Sequence, residues 1–301
     1  MPDVYHVPVL LDACMDGLAL RQDGVYVDVT FGGGGHSRAI LDRLGAKGRL
    51  IGFDQDPDAL DNALPDDRFT LIHQNFKFIK NHLKLEGVFQ VDGILADLGV
   101  SSHQFDTAER GFSTRFDAML DMRMDKARSL SAREVINTYS EEDLHFLFGR
   151  YGEIQNAKTL ARLICSVRAV KAIDSVSDLK QAIADIVPRG REHKYYAQLF
   201  QALRIEVNDE LESLKALLQQ AVELLKPGGR LVVIAYHSLE DRLVKAYMHK
   251  GKFRGEVDKD IYGNELKPLR LVSRKAIVAS EEEIMRNNRA RSAKLRIAER
   301  I

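Results

Sequence analysis

The chain has 301 residues, with 44 Lys plus Arg against 44 Asp plus Glu, so its formal net charge is zero. At about 100–200 residues per domain this is one large domain or two smaller ones, and 45% hydrophobic with 29% charged residues is a globular rather than a disordered profile. No run approaches the roughly 18 apolar residues of a membrane helix, the acidic start MPDVYHVPVLLDACMDG lacks the pattern of a signal peptide, and the distant Cys14 and Cys165 exclude a disulfide framework.

Two cysteines in such a chain fit a reducing compartment, so the expected location is cytoplasmic. From the N-terminus, VYVDVTF (25–31) predicts a buried strand, followed by GGGGH and a helix closed by Gly45. RLIGFD (49–54) predicts a second strand, and DPDALDNAL a helix with Pro in its first turn. FTLIHQNF (69–76) and VDGILADLG (91–99) predict strands three and four. Strands alternating with helices imply βαβ units and a mostly parallel sheet.

The alternation stops between about 106 and 196, where the pattern is helical, with Ser131, Ser140 and Ser175 as N-caps. Pro188-Arg189-Gly190 closes that stretch. NDELESLKALLQQAVELLKPGGR then predicts one long amphipathic helix, with Leu211, Leu214, Leu217, Leu218, Val222 and Leu225 on one face. RLVVIAYH (230–237) predicts the fifth strand, and SRKAIVAS (273–280) with SAKLRIAERI (292–301) a final pair. The expected organisation is one α/β domain from 1–105 and 197–301, interrupted by a helical domain at 106–196.

The most informative local feature is DVTFGGGGHS (28–37). Glycines after a first strand let a ligand approach the backbone, because no Cβ intervenes. Asp54, at the end of the second strand, fits the acid that accepts hydrogen bonds from ribose hydroxyls. A dinucleotide site needs G-x-G-x-x-G, but the frames here end in Ser37 or Arg38. An acid, Asp28, also precedes the glycines, and it suits a cationic ammonium better than a pyrophosphate. S-adenosylmethionine is therefore favoured over a dinucleotide, with an NAD-dependent oxidoreductase as the rival enzyme class. Asp97 ends strand four, where it meets either a cofactor or a substrate amine, and Phe76 is placed to pack on an adenine face.

The motifs together resemble the bacterial MraW/RsmH family. They are HVPVLL (6–11), DVTFGGGGHS (28–37), DQDP (54–57), DLGVSS (97–102), ERGFS (109–113), LDMRMD (120–125), YGE (151–153), FQALRIEVNDEL (200–211), GGRL (228–231), HSLEDR (237–242) and NRARSAKLR (288–296). The resemblance implies a Rossmann-like class I methyltransferase sheet, mostly parallel, with an inserted α-helical domain for substrate recognition. It implies S-adenosyl-L-methionine as cofactor and N4 of a cytidine in the decoding region of 16S rRNA as target, within the small ribosomal subunit. Cofactor contacts carry over to Gly34, Gly35, His36, Asp54, Phe76, Asp97 and Gln104. One departure concerns the substrate side. Many members read A-T-R-x-F-Q-A before the long helix, whereas this chain has YAQLFQA (196–202), so a missing charge would come from Lys194 or Arg191.

Asp97 is the candidate group acting on the cytosine amine, and no metal is expected, since His6, His36 and His103 lack ligand-like spacing. HSLEDR follows strand five and reads as a helix start, with Ser238 the cap and Asp241 its partner, beside a substrate pocket. RNNRARSAKLR (286–296) holds five basic residues and no acid; Arg289, Arg291 and Lys294 are its candidates for RNA phosphate contact. Arg162, Arg168 and Lys171 are the alternative basic region. The non-enzymatic rival is an RNA-binding assembly factor that keeps a cofactor pocket.

Overall fold

A computed structural model describes residues 8–301; His6 and the start of the first motif lie outside them. The chain divides into two compact units, Met1–Gly99 with Glu212–Ile301, and Val100–Leu211. The helical segment is thus longer than the 106–196 read from sequence, because the helix Glu192–Asn208 packs into its core.

The first unit is built on a sheet. Its strands are β1 (Val25–Asp28), β2 (Arg49–Asp54), β3 (Phe69–His73), β4 (Val91–Asp97), β5 (Leu225–Ala235), β8 (Leu269–Leu271) and β9 (Lys294–Arg300), while β6 (Asp258–Lys259) and β7 (Glu265–Leu266) form a separate small ribbon. The sheet order is β3-β2-β1-β4-β5-β9-β8. The pairs through β5 are parallel, and β9 runs antiparallel to both of its neighbours. Successive side chains in a strand face opposite sides. Val27, Ile51, Ile94 and Val233 accordingly enter one core, and Tyr26, Leu50, Leu95 and Val232 the other. Burial on both faces explains the near-continuous apolar runs of these strands.

The strand order reverses between β1 and β4. In an open parallel sheet this switch leaves a crevice outside the carboxyl ends of the two strands. Those ends are Asp28 and Asp97.

Four expectations change. DPDALDNAL forms a 3₁₀ helix, Pro57–Asn62, capped by the Asp56 side chain. The long helix runs Glu210–Leu224, and the segment before it forms a further helix, Glu192–Asn208, which ends where Asp209 takes φ 55°. Segment 273–280 is not a strand: only Ile277 bridges to Leu295, and β8 is the partner of β9 instead. Leu269 brings a fully buried side chain to that edge, while Val278 stays 63% exposed, which decides the pairing by burial. The helix after β5 is capped by His237 rather than Ser238, with Glu240 completing the capping box.

The second unit is helical: Ala132–Thr138, Glu141–Arg150, Ala157–Arg168, Val176–Ile183 and Glu192–Asn208 surround an apolar core that includes Leu120, Ile136, Phe148, Leu160 and Leu203. Ser131, Ser140 and Ser175 each accept from the backbone N–H three residues on, as N-caps do. No helix among the described residues is long and apolar enough to cross a membrane.

Candidate functional site

The carboxyl ends of β1 and β4 are tied together before any ligand is considered. Beyond β1, the Val29 N–H donates to the Leu95 carbonyl and the Phe31 N–H to the Phe53 carbonyl, both at 2.9 Å. The chain then turns back through the glycines. Gly32 and Gly34 take φ of 52° and 73°, the left-handed region where a side chain is strained. A Cβ on Gly35 would lie 2.4 Å from the Pro8 ring. At Gly33 no atom of the described residues lies within 4 Å of where a Cβ would be. Packing therefore accounts for Gly35 and backbone conformation for Gly34. Gly33 instead borders open space that a ligand can approach.

Asp54 anchors this turn from β2. One carboxylate oxygen accepts from the Gly32 N–H at 2.8 Å, and the other from the Asp56 N–H at 2.9 Å. Each oxygen has a second lone pair, so the group can still accept from a vicinal diol. Burial pushes the Asp54 carboxyl up to about 6, against the pull of those two N–H donors. Phe76 follows β3 on a 3₁₀ turn capped by Asn75; it is half-buried, with part of its ring against the core.

Asp28 has a different task from the one its position suggests. It is only 1% exposed. It accepts from the Ser37 hydroxyl at 2.7 Å and from the Thr30 N–H at 3.1 Å, so it pins the two sides of the glycine turn to each other. Burial raises its pKa, opposed first by the nearby His36. It shapes the loop and does not present a free carboxylate to a ligand.

Asp97 is the acid that remains open. Its N–H donates to the Thr30 hydroxyl at 2.7 Å, which fixes its backbone to the β1 side of the crevice. One carboxylate oxygen accepts from the Tyr236 hydroxyl at 2.7 Å. The other lies 3.8 Å from His36 Nδ1, and the Asp97 side chain keeps 24% of its surface exposed. Burial raises the Asp97 pKa, while the charge of a protonated His36 and the Tyr236 hydrogen bond pull it down. The far nitrogen of His36, Nε2, sits 3.1 Å from the Val9 carbonyl. A carbonyl only accepts, so Nε2 carries the proton, and in the neutral ring Nδ1 is an acceptor. Asp97 and His36 then form a pair of acceptors facing one region, a donor set that suits a cationic ammonium. With the open edge at Gly33 and the diol acceptor at Asp54, the residues present fit S-adenosylmethionine.

The structure brings Gly34, Gly35, His36, Asp54 and Asp97 to one edge of the sheet, with Phe76 just beyond β3. Gln104 belongs to the helical unit, where its side-chain oxygen accepts from the Ser101 N–H at 3.0 Å in the capping box of Ser102–Asp106. Tyr236 and Thr30 were not anticipated. The available signal for Tyr236 was its place at the carboxyl end of the fifth strand, directly before HSLEDR.

The basic C-terminal segment is partly committed internally. Asp241 accepts from Arg296 Nε at 2.6 Å and lies 3.3 Å from Lys294 Nζ, so Lys294 is an ion-pair partner. Arg289 is half-buried, and Arg291 stands exposed on the turn Asn288–Ser292. In the helical unit, Arg168 donates to the Ile136 and Tyr139 carbonyls and so closes the helix Ala132–Thr138. Lys171 pairs with Asp178 at 2.8 Å and Arg162 with Glu141 at 3.7 Å. Lys194 and Arg191 are both exposed.

Residues 3–301 match the model of the MraW methylase family. A ribosomal RNA small subunit methyltransferase H from Cytophaga hutchinsonii is 59% identical over 299 residues, covering 99% of this chain and 100% of its own. The protein of the same name from Flavobacterium johnsoniae is 57% identical over 297 residues, covering 99% and 98% respectively. Among solved structures, an rRNA methylase from Streptococcus thermophilus superimposes with a TM-score of 0.42 at 10% identity, over 97% of this chain and 93% of that one.

Proposed function

Because the chain belongs to the MraW methylase family, we propose that it methylates N4 of a cytidine in the decoding region of 16S rRNA. The observation that carries this reading is the half-committed carboxylate of Asp97 at the switch point of the sheet. Its relatives' shared name supports the small-subunit substrate.

Gly34, Gly35, His36, Asp54, Phe76, Asp97 and Gln104 would hold S-adenosyl-L-methionine. When bound, the cofactor supplies an electrophilic methyl group on a sulfonium. Asp54 would accept from its ribose hydroxyls, and the Asp97–His36 acceptor pair would take its ammonium. The free edge at Gly33 lets the ligand lie against the backbone.

Cytosine N4 is a weak nucleophile, because its lone pair is delocalised into the ring. An acceptor on one of its N–H bonds raises the electron density at nitrogen as it attacks. Asp97 can serve this end only through an oxygen not already given to Tyr236. The remainder of the rate enhancement would be positioning of the cytosine nitrogen by the residues of the crevice. The target base is unstacked from its RNA to reach the crevice. The helical unit, Val100–Leu211, recognises the RNA around it, and Arg289, Arg291 and Lys294 supply phosphate contacts.

The test is methyl transfer from labelled S-adenosyl-L-methionine to small subunits that lack the modification, with naked rRNA in parallel. Label recovered as N4-methylated cytidine is the expected result. Intact cofactor binding with no label in either substrate would refute the proposed target and favour a binding role.

A further inference from the structure

We propose that Tyr236 is a positioning residue for methyl transfer, whose hydroxyl occupies one oxygen of Asp97 and thereby fixes which oxygen faces the ligand. The inference rests on the role proposed above for Asp97.

Tyr236 follows directly on β5, whose register sets Ile234 beside Asp97. The Leu98 N–H donates to the Ile234 carbonyl at 3.0 Å, so the pairing of the two strand ends continues past Asp97. The Tyr236 N–H donates to Glu240 Oε2 at 2.8 Å, which ties it to the first turn of the helix Ser238–Lys250. Its ring lies against the backbone at Gly99, where φ is 96° and a Cβ would be 3.5 Å from Tyr236 Cδ2. The phenol is thus aimed at Asp97 by a strand, a helix start and a turn.

Filling space at this position needs only a ring. A hydroxyl adds a desolvation cost unless it is hydrogen-bonded, and Asp97 Oδ1 is its partner at 2.7 Å. The phenol proton stays on Tyr236, since burial and the neighbouring Asp97, Cys14 and Glu240 all push its pKa upward. Tyr236 is therefore a permanent donor. It favours the ionised form of Asp97 against burial and against the like charges of Asp28 and Glu240. Thr30 holds the Asp97 backbone, so loss of the phenol frees only the carboxylate's rotation and its proton affinity.

The test compares Tyr236→Phe with the parent enzyme across pH 5.5–9 in single-turnover methyl transfer to small subunits. Removing a donor from a carboxylate raises its pKa. The acid limb of the profile should move to higher pH, so the loss relative to the parent should be larger at pH 6 than at pH 9. KM for the subunits should be unchanged. Tyr139→Phe, which removes a tyrosine hydrogen bond to Glu206 in the helical unit, is the packing control and should leave the limb in place. A Tyr236→Phe profile that superimposes on the parent, or falls equally at every pH, overturns the inference. Asp97→Asn separates the two claims. If it is inactive while Tyr236→Phe is normal, only the positioning role fails; if Asp97→Asn is fully active, the underlying reading of Asp97 fails with it.

Discussion

In the helical unit, Asn208 spends its whole amide on the protein. Its oxygen accepts from the Met124 N–H at 2.8 Å, and its nitrogen donates to the Met122 and Arg204 carbonyls at 2.7 and 2.9 Å. In the sheet unit, Asp97 gives one oxygen to Tyr236 and leaves the other facing His36 across 3.8 Å. Both side chains sit at the end of an element, in motifs that look equally specific in sequence. Asn208 stitches the loop at 122–124 to a helix end, and Arg110 does similar work by donating to the Arg123 and Met124 carbonyls. Full satisfaction marks a structural group, and incomplete satisfaction with residual exposure marks a place for a ligand. The same rule separates Asp28, which is spent on Thr30 and Ser37, from Asp97 within one crevice.

The largest expected effect is on turnover. Asp97→Ala should lower the methyl-transfer rate by about 100-fold or more, since it removes the open acceptor at the reacting edge; initial rates with small subunits measure it. An unaltered rate would put Asp97 on the same footing as Asp28. The counterpart in the other unit is Asn208→Ala, which strands buried backbone groups at Met122 and Met124 and should destabilise the protein by about 3 kcal/mol. Urea unfolding reads that loss, and calorimetric affinity for S-adenosylhomocysteine should stay within about twofold. Loss of that affinity would break the division between structural and ligand-facing groups.

A smaller effect concerns pH. Asp54 must be ionised to accept from both ribose hydroxyls, and its carboxyl is pushed up to about 6. Affinity for S-adenosylhomocysteine should therefore fall about tenfold from pH 7.5 to 5. The Asp54→Asn variant should bind more weakly but lose the part of the pH dependence that Asp54 contributes. The fold does not share this acid sensitivity through Asp54. With a folded pKa above the unfolded one, the native state binds the proton more readily, so this group's contribution to stability rises as pH falls from about 6 towards 4. The smallest effect is on salt dependence. Arg291→Ala should reduce the slope of log affinity for rRNA against log salt by about one unit, and Lys294→Ala by less, because Lys294 already pairs with Asp241. Equal slopes for both variants and the parent would move the RNA surface elsewhere.

Much of this was legible before the structure. β2 was read to the residue, since the apolar run Leu50–Phe53 is bounded by Arg49 and Asp54. The three serine caps were legible because each hydroxyl acts on a backbone group three residues away, within reach of local sequence. Asp54 was legible because the spacing from a glycine turn to the next strand end is fixed by a short βαβ unit. The helix Glu192–Asn208 was missed although Leu199, Leu203 and Val207 recur at four-residue spacing, because the reading began its helix at Asn208. The cap at His237 was missed because Ser is the commoner capping residue, and the choice was made by Glu240 reaching back to the Tyr236 and His237 N–H groups.

The sequence by itself determined the parallel sheet, the helical interruption, the glycine turn and the list of acids at the strand ends. These follow from periodicity and from residues close in the chain. Only the tertiary structure decided which acid is open. Asp28 and Asp97 are 69 positions apart in sequence, and whether each finds partners depends on Thr30 beyond β1, His36 and Ser37 on the helix Gly35–Leu41, and Tyr236 beyond β5. Hydrogen-bond satisfaction is a property of neighbours in space, and strand order, not chain order, chooses those neighbours.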